Sequence, residues 1–581
     1  MAHWRLAACL LAAWALLPHR ASAQPGCPER PSAGSVVGEP EDLRSVHGVL
    51  RLDLRFRSGA DADGRMHYCY VSRNGGEAPT LRLKPGDLLV LTVKNEQPAA
   101  PPMDAMPNHP RAASGACGGG AMSAASTNVH FHGMSVRPVC HQDDVINTRI
   151  QPGEDPFVYR FRIPANEPPG LYWYHPHIHG MARVQVLGGA SGALVVEGTE
   201  RANPRLAGLA ERVFIIRDQE LLNPDATPVQ TDSMPPPMVM RDAEGDVLNS
   251  GTGGGKPAKD LSINFVSVAY PGYVPAVIKL RPSERQLWRI LNASAITYLD
   301  LQLLIDGQLQ ALGVVALDGV PINESGATDE PILWQSHALI PPAGRIEIVV
   351  KGPAEGVKAS LVTRTVDTGP AGENDPTRPL ATVIGDPAAP PARTRLDAAP
   401  QPLVRGGLPW LGKVPPVRTR TLYFSERARD PAAANSPTDF FITVDGRQPK
   451  LFDPNSKTPD IVVRQGDVED WIIENRTQEL HDFHIHQLHF MLVDWNGIPL
   501  EEPYLRDTVN VAYWDGTSAQ YPSVRLRMDF RGPNVVGNFL YHCHLLEHED
   551  GGMMGLIRVE PRRAVHDPAG AGQPPPSPPR L

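Results

Sequence analysis

One short frame occurs three times in this chain and sharply limits what it can fold into. Leu83-Lys84-Pro85-Gly86-Asp87 runs on through Leu89, Leu91 and Val93 to Asn95. Leu280-Arg281-Pro282-Ser283-Glu284 runs on through Leu287 and Ile290 to Asn292. Val463-Arg464-Gln465-Gly466-Asp467 runs on through Val468, Trp471 and Ile473 to Asn475. Each Asn stands 12 positions after the first apolar residue, and the frames start 197 and 183 residues apart. Apolar runs broken by Gly or Pro with an acid predict strand, tight turn, strand. Three copies at matching intervals predict three copies of one β domain. Short β-type segments at 157–163, 193–197, 345–350 and 556–560 agree, and helical periodicity is scarce. The expected fold is all-β, three consecutive sandwiches, over 46–200, 205–390 and 415–562. Linkers are expected around 200–210 and in the Pro-rich 385–417, with flexible tails at 24–45 and 563–581.

Composition removes other classes. Pro (61) and Gly (52) make up about a fifth of the 581 residues, below the roughly 25–30% of low-complexity chains. With 55 Lys and Arg against 64 Asp and Glu, the net charge of −9 argues against a nucleic-acid partner held by bulk positive charge. Residues 1–23 read as a signal peptide: Arg5, an apolar run from Leu6 to Leu17, then Ala21-Ser22-Ala23 as an A-x-A cleavage site. That run is shorter than the ~20 residues a bilayer span needs. No other stretch reads as a membrane span. The mature chain is expected to be exported, periplasmic or secreted, in an oxidising compartment.

Five cysteines remain after cleavage: Cys27, Cys69, Cys117, Cys140 and Cys543. An odd number leaves one thiol for another task. Cys543, between His542 and His544, is that one. The other four allow three pairings, of which Cys117–Cys140 with Cys27–Cys69 is preferred.

Half of the 20 His fall in four clusters: His130-Phe131-His132-Gly133, His175-Pro176-His177, His481-Asp482-Phe483-His484-Ile485-His486, and His542-Cys543-His544-Leu545-Leu546-Glu547-His548, followed by Met553. On a strand, residues i and i+2 share a face, so each H-x-H offers two imidazoles to one side. Structural zinc would call for closely paired Cys, and none are so spaced. Two His, one thiolate and a weak Met form a blue-copper set. His548, Cys543 and Met553 supply three of these, with His481 spare as the fourth. Eight His are left: 130, 132, 175, 177, 484, 486, 542 and 544. That number suits three coppers as two, three and three.

The repeats align these residues. The stretch 170–177 matches 537–544, and His130/His132 match His484/His486. The first and third copies each contribute four imidazoles, so the cluster should lie between them. In the first copy, Pro176 stands where Cys543 does and Thr127 where His481 does. The corresponding stretch 293–304 of the second copy has no His, which predicts a copper-free spacer and substrate wall.

These clusters resemble those of the multicopper oxidases, the laccase-like family of three cupredoxin-like Greek-key domains, over nearly all the mature chain. The resemblance implies type 1 copper at His481, Cys543, His548 and axial Met553. It implies type 2 copper at His130 and His484, and type 3 coppers at His132, His175, His544 and at His177, His486, His542. Four copper ions per chain follow. It also implies one-electron oxidation of a reductant coupled to four-electron reduction of O₂ to water, in a monomer. Phenols and aromatic amines are the default reductants. Cuprous ion is an alternative, suggested by Met234, Met238 and Met240, and a non-catalytic copper-binding scaffold is a rival of another class. Glu549 and Asp143, with Asp144 second to it, match the family's proton-relay carboxylates. His109, His141, His179 and His489 fall outside the ligand pattern.

Overall fold

The computed structural model describes residues 26–101, 115–118, 122–226, 256–324, 331–401, 408–432 and 436–562. Residues 1–23, expected to be a signal peptide, His109, Met234, Met238 and Met240, and residues 563–581 lie outside them. Among the described residues no helix is long and apolar enough to cross a membrane.

The repeated frame forms the same structure each time. Strand Thr80–Leu83 turns at Gly86 into Leu88–Asn95; Ala276–Leu280 turns at Ser283 into Arg285–Asn292; Ile461–Arg464 turns at Gly466 into Val468–Asn475. Gly86 (φ +89°), Ser283 (φ +59°) and Gly466 (φ +103°) all adopt the left-handed conformation the turn requires. Glycine does so at least cost. Each second strand then pairs in parallel with the long strand that precedes the frame or its turn: Val49–Ala60, Ala210–Gln219 and Arg418–Ala428.

The closing Asn has one task in all three copies. Asn95 donates its amide hydrogens to the carbonyls of Ala125 and Ile150, Asn292 to Thr297 and Ile340, and Asn475 to Glu479 and Val511. Each Oδ1 accepts from the backbone N–H two residues on. All three are buried, and their polar groups are satisfied by clamping neighbouring loops. In the third copy the clamped carbonyl of Glu479 lies two residues before His481.

The result is an all-β molecule of three two-sheet sandwiches. Residues 42–196 form a five-stranded and a four-stranded sheet, residues 210–395 a nine- and a six-stranded sheet, and residues 418–560 a seven- and a five-stranded sheet. Each sandwich encloses its own apolar core, as Leu54, Phe56, Leu91 and Phe131 do in the first, and Trp471, Phe483, Phe490 and Tyr541 in the third.

The segment expected to be a loose tail is instead strapped down. Residues 26–45 are tied by Cys27–Cys69, by Arg30 to Glu77 and the Gly188 carbonyl, by Val37 N–H to Val277 O, and by strand Asp42–Arg44 alongside Thr80–Leu83. The expected linker is also partly fixed: Thr394–Arg395 pairs with Ala210–Gln219, and Thr394 donates to Asp42. Local composition signalled looseness there, whereas the disulfide and long-range strand pairing supplied order.

The disulfides are Cys27–Cys69 and Cys117–Cys140, and Cys543 is free and buried. Unreduced peptide mapping should recover these two pairs and no bridged Cys543. Replacing either pair by Ala should cost about 2–4 kcal/mol in a denaturant titration. A bridge from Cys543 in the mapping would overturn the pairing.

Candidate metal centre

Strand alternation distributes the histidines. Phe131, Phe483, Ile485 and Cys543 point into sandwich cores. The H-x-H imidazoles on either side point the opposite way, as period-two geometry requires. His130 lies opposite His175 in the first sandwich and His484 opposite His542 in the third. The two sets meet ring against ring. His130 stacks on His486 (centroids 4.0 Å, 17°) and His132 on His484 (3.9 Å, 17°).

All eight imidazoles are buried. Burial pushes His130, His132, His177, His484, His486 and His544 well below the usual imidazole range, His175 to about 3 and His542 to about 4. Neutral rings are what metal ligation requires. Their free nitrogens are orphaned: His130 Nε2, His132 Nδ1, His175 Nε2, His484 Nε2 and both nitrogens of His544 are buried without a partner. His542 Nε2 lies 3.3 Å from His177 Nε2 and 3.2 Å from His486 Nε2. Such convergent lone pairs suit a shared cation. Donors from His132, His175 and His544, from His177, His486 and His542, and from His130, His132 and His484 each lie within 4.8 Å of one another. This donor set fits copper.

A separate site lies in the core of the third sandwich. His481 Nδ1 and His548 Nδ1 are 3.1 Å apart, and Cys543 Sγ lies 3.5 and 3.6 Å from them. The short helix Leu546–Asp550 turns His548 back onto Cys543. Met553 is buried, with its carbonyl accepting from the Cys543 N–H. Burial opposes ionisation of Cys543, but hydrogen bonds and charge from His481 and His548 bring it down to about 6. In the first sandwich the equivalent Thr127 donates to Gln185, and no thiol is present there.

The expected carboxylates separate in space. Asp143 is buried, accepts from Phe131 N–H and Gln487, and lies 3.0 Å from His130 Nδ1. Asp144 turns to Asn147 instead. Glu549, one residue round the helix from His548, faces the cluster: Oε2 is 3.2 Å from His542 Nδ1 and Oε1 3.6 Å from His177 Nδ1. Burial pushes both Asp143 and Glu549 well above the usual carboxylate range. Of the His outside the pattern, His141 bonds the Val158 carbonyl, His179 packs on Phe452, and His489 is buried against the Asp318 carbonyl.

Sequence reasoning missed four groups. Glu426 contacts His481 Nε2 at 3.2 Å and Glu479 contacts His548 Nε2 at 2.7 Å. Both line a cavity of about 260 Å³, with Glu373, Glu547, Tyr298 and Phe440 also in its wall. Asp507 and Arg345 form a buried ion pair beside His132. No spacing signal marks these residues, because each reaches its partner from a distant segment.

Two multicopper oxidase family models match the chain, over residues 122–201 and 426–563. The chain is 24% identical over 452 residues to multicopper oxidase mco of Staphylococcus haemolyticus, covering 75% of this chain and 77% of that protein. It is 25% identical over 461 residues to multicopper oxidase MmcO of Mycobacterium tuberculosis, covering 74% and 75%. A solved multicopper oxidase from Campylobacter jejuni, described as a metallo-oxidase, superposes with a TM-score of 0.62 at 25% identity, covering 91% and 96%.

Proposed function

Since the chain belongs to the multicopper oxidase family, copper-dependent oxidoreductases with O₂ as acceptor, we propose that it oxidises a small reductant beside His548 and reduces O₂ to water at the eight-imidazole cluster. The reading assigns three domains, 46–200, 205–390 and 415–562, with the middle one copper-free. One copper would be held by His481, Cys543, His548 and Met553, one by His130 and His484, and two by His132, His175, His544 and His177, His486, His542. Copper in these sites would take electrons singly at the first and supply four to dioxygen at the others. The observation that carries the reading is the tripeptide 542–544: Cys543 faces one donor set while its covalent neighbours face the other. Asp143 and Glu549, against imidazoles of the cluster, are assigned to delivering the four protons that O₂ reduction consumes.

Phenols and aromatic amines remain the first reductant class, and the cavity's Tyr298 and Phe440 suit a single ring. A second reading, a cationic reductant such as cuprous ion, is favoured by Glu373, Glu426, Glu479 and Glu547 around that cavity. Oxygen uptake with a neutral phenol, an aromatic amine, Cu(I), Mn(II) and bilirubin tests the assignment. Glu479→Gln should weaken use of a cation by about 10- to 100-fold, the loss of one charge-assisted bond worth roughly 1.5–3 kcal/mol, while sparing the phenol. An equal loss for every reductant would mean that Glu479 acts only on His548. No oxygen uptake with any of the five by the copper-loaded protein would overturn the proposed function.

A further inference from the structure

The middle sandwich has no copper ligand, yet it reaches the cluster. Arg345, fully buried on strand Arg345–Lys351, grips Asp507 of the third sandwich with both guanidinium nitrogens, at 2.7 and 2.5 Å. Its Nε donates to the Leu171 carbonyl of the first sandwich, and its Nη2 to the Asp318 carbonyl of its own. Such a planar fork orients a carboxylate in two dimensions.

Asp507 uses that orientation on two imidazoles. Its Oδ1 lies 3.2 Å from His132 Nε2, and its backbone carbonyl 2.8 Å from His484 Nδ1. Thr508 Oγ1 donates to the same Oδ1. Since carboxylates and carbonyls accept, His132 carries its proton on Nε2 and His484 on Nδ1. The open nitrogens are then His132 Nδ1 and His484 Nε2, the two found buried without partners. His130 and His484 are fixed through Nδ1, whereas His132 is fixed through Nε2. An unconstrained His132 would be free to present the opposite nitrogen.

Gly133 supports this arrangement independently. At φ +82°, a Cβ there would stand 2.5 Å from both Arg345 Nη2 and Asp507 Oδ2. The glycine after His132 lets the strand end close onto the ion pair.

We infer that Arg345 and Asp507 are a positioning pair through which the copper-free middle sandwich sets the tautomer of His132 and so completes the cluster. The inference rests on the copper assignment above. In Asp507→Asn, the amide can turn its oxygen to Arg345 and its N–H to His132, which favours the wrong tautomer. Partners of this kind are worth about 10–100-fold in metal affinity.

The test titrates Cu(II) into metal-free wild type, Asp507→Asn and Arg345→Lys against a competing chelator. Copper per chain, the thiolate band and the near-ultraviolet band of the paired coppers are followed. Asp507→Asn should bind cluster copper about 10–100-fold more weakly and lose the near-ultraviolet band, but keep the thiolate band. Arg345→Lys, retaining charge without the fork, should fall between. Nitrogen-15 spectra of histidine-labelled, metal-free wild type give a readout that needs no variant to fold: His132 should carry its proton on Nε2. A proton on Nδ1, or an Asp507→Asn protein with wild-type cluster affinity and spectrum, would overturn the inference. Wild type that fails to fill the cluster would instead overturn the copper assignment.

Discussion

Cys543→Ser should remove the thiolate absorption and reduce oxidase activity to that of the copper-free protein, while leaving the chain folded. Cys543 is the one free cysteine among the described residues. It is fully buried, with His481 and His548 at 3.5 and 3.6 Å from its sulfur. Serine is nearly isosteric, and the Asp482 N–H that now faces the sulfur could bond its hydroxyl. The stability loss should therefore be modest, about 1–3 kcal/mol for an imperfectly paired buried hydroxyl. Function should fare far worse. A serine hydroxyl is not a thiolate ligand, and the covalent link from 543 to the imidazoles of 542 and 544 then begins at an empty site. The measurements are visible absorption, copper per chain, and oxygen uptake with a phenol. Loss of one copper with the cluster's copper retained is the expected pattern. Wild-type turnover by the mutant would rule out Cys543 as the point of electron entry.

Glu549→Gln and Asp143→Asn should keep four coppers per chain and normal anaerobic bleaching of the thiolate band, but lose O₂ turnover by roughly 10²–10⁴-fold. Glu549 Oε2 lies 3.2 Å from His542 Nδ1, on the ring edge away from the converging Nε2 atoms. Asp143 goes further and hydrogen-bonds His130 Nδ1, leaving Nε2 as the open nitrogen, whereas the Glu549 oxygens have no hydrogen-bond partner among the described residues and His542 Nδ1 meets the Cys543 carbonyl. Both carboxylates thus lie behind imidazoles that the proposed function assigns to copper, which is why it gives them proton delivery rather than metal binding. Removing either should slow the proton-consuming steps and spare electron entry, which the proposed function assigns to the separate Cys543 site. Asp143 is the more demanding case, because it also accepts from Phe131 N–H and Gln487. Its removal could loosen His130. Copper content, stopped-flow bleaching under nitrogen and oxygen uptake on the same preparations separate the outcomes. Copper loss would make the carboxylate a support for its imidazole. Unchanged uptake would remove it from proton delivery.

Much of this was legible in the chain because it depends on local periodicity. Two-residue alternation puts His542 and His544 on one face and Cys543 on the other in any strand. Repetition of a frame ending in Asn at matching intervals marks three sandwiches, since each copy must make the same turn and the same clamp. The parity of the cysteines marked Cys543 as free. Asp143 and Glu549 were found as neighbours of ligands, within 13 and one residues of His130 and His548. The loose-tail expectation at 24–45 failed because a disulfide and a parallel strand pairing are long-range contacts, invisible to local composition.

What the tertiary structure alone decided is how distant segments finish the sites. Asp143 and Asp144 are indistinguishable in sequence, but successive residues point in different directions, and only Asp143 meets His130. Glu426 and Glu479 reach His481 and His548 across the sandwich wall. Arg345 comes from the one copy without an H-x-H pair, and meets Asp507 162 positions away. Sequence determined which imidazoles share a face and that Cys543 takes the opposite one, because strand geometry has a fixed period. His175 and His542 are held by the carbonyl of the next residue, but packing of the sandwiches determined which nitrogen of His132 and His484 stays open, because their acceptor Asp507 comes from another segment and is oriented by its buried pairing with Arg345.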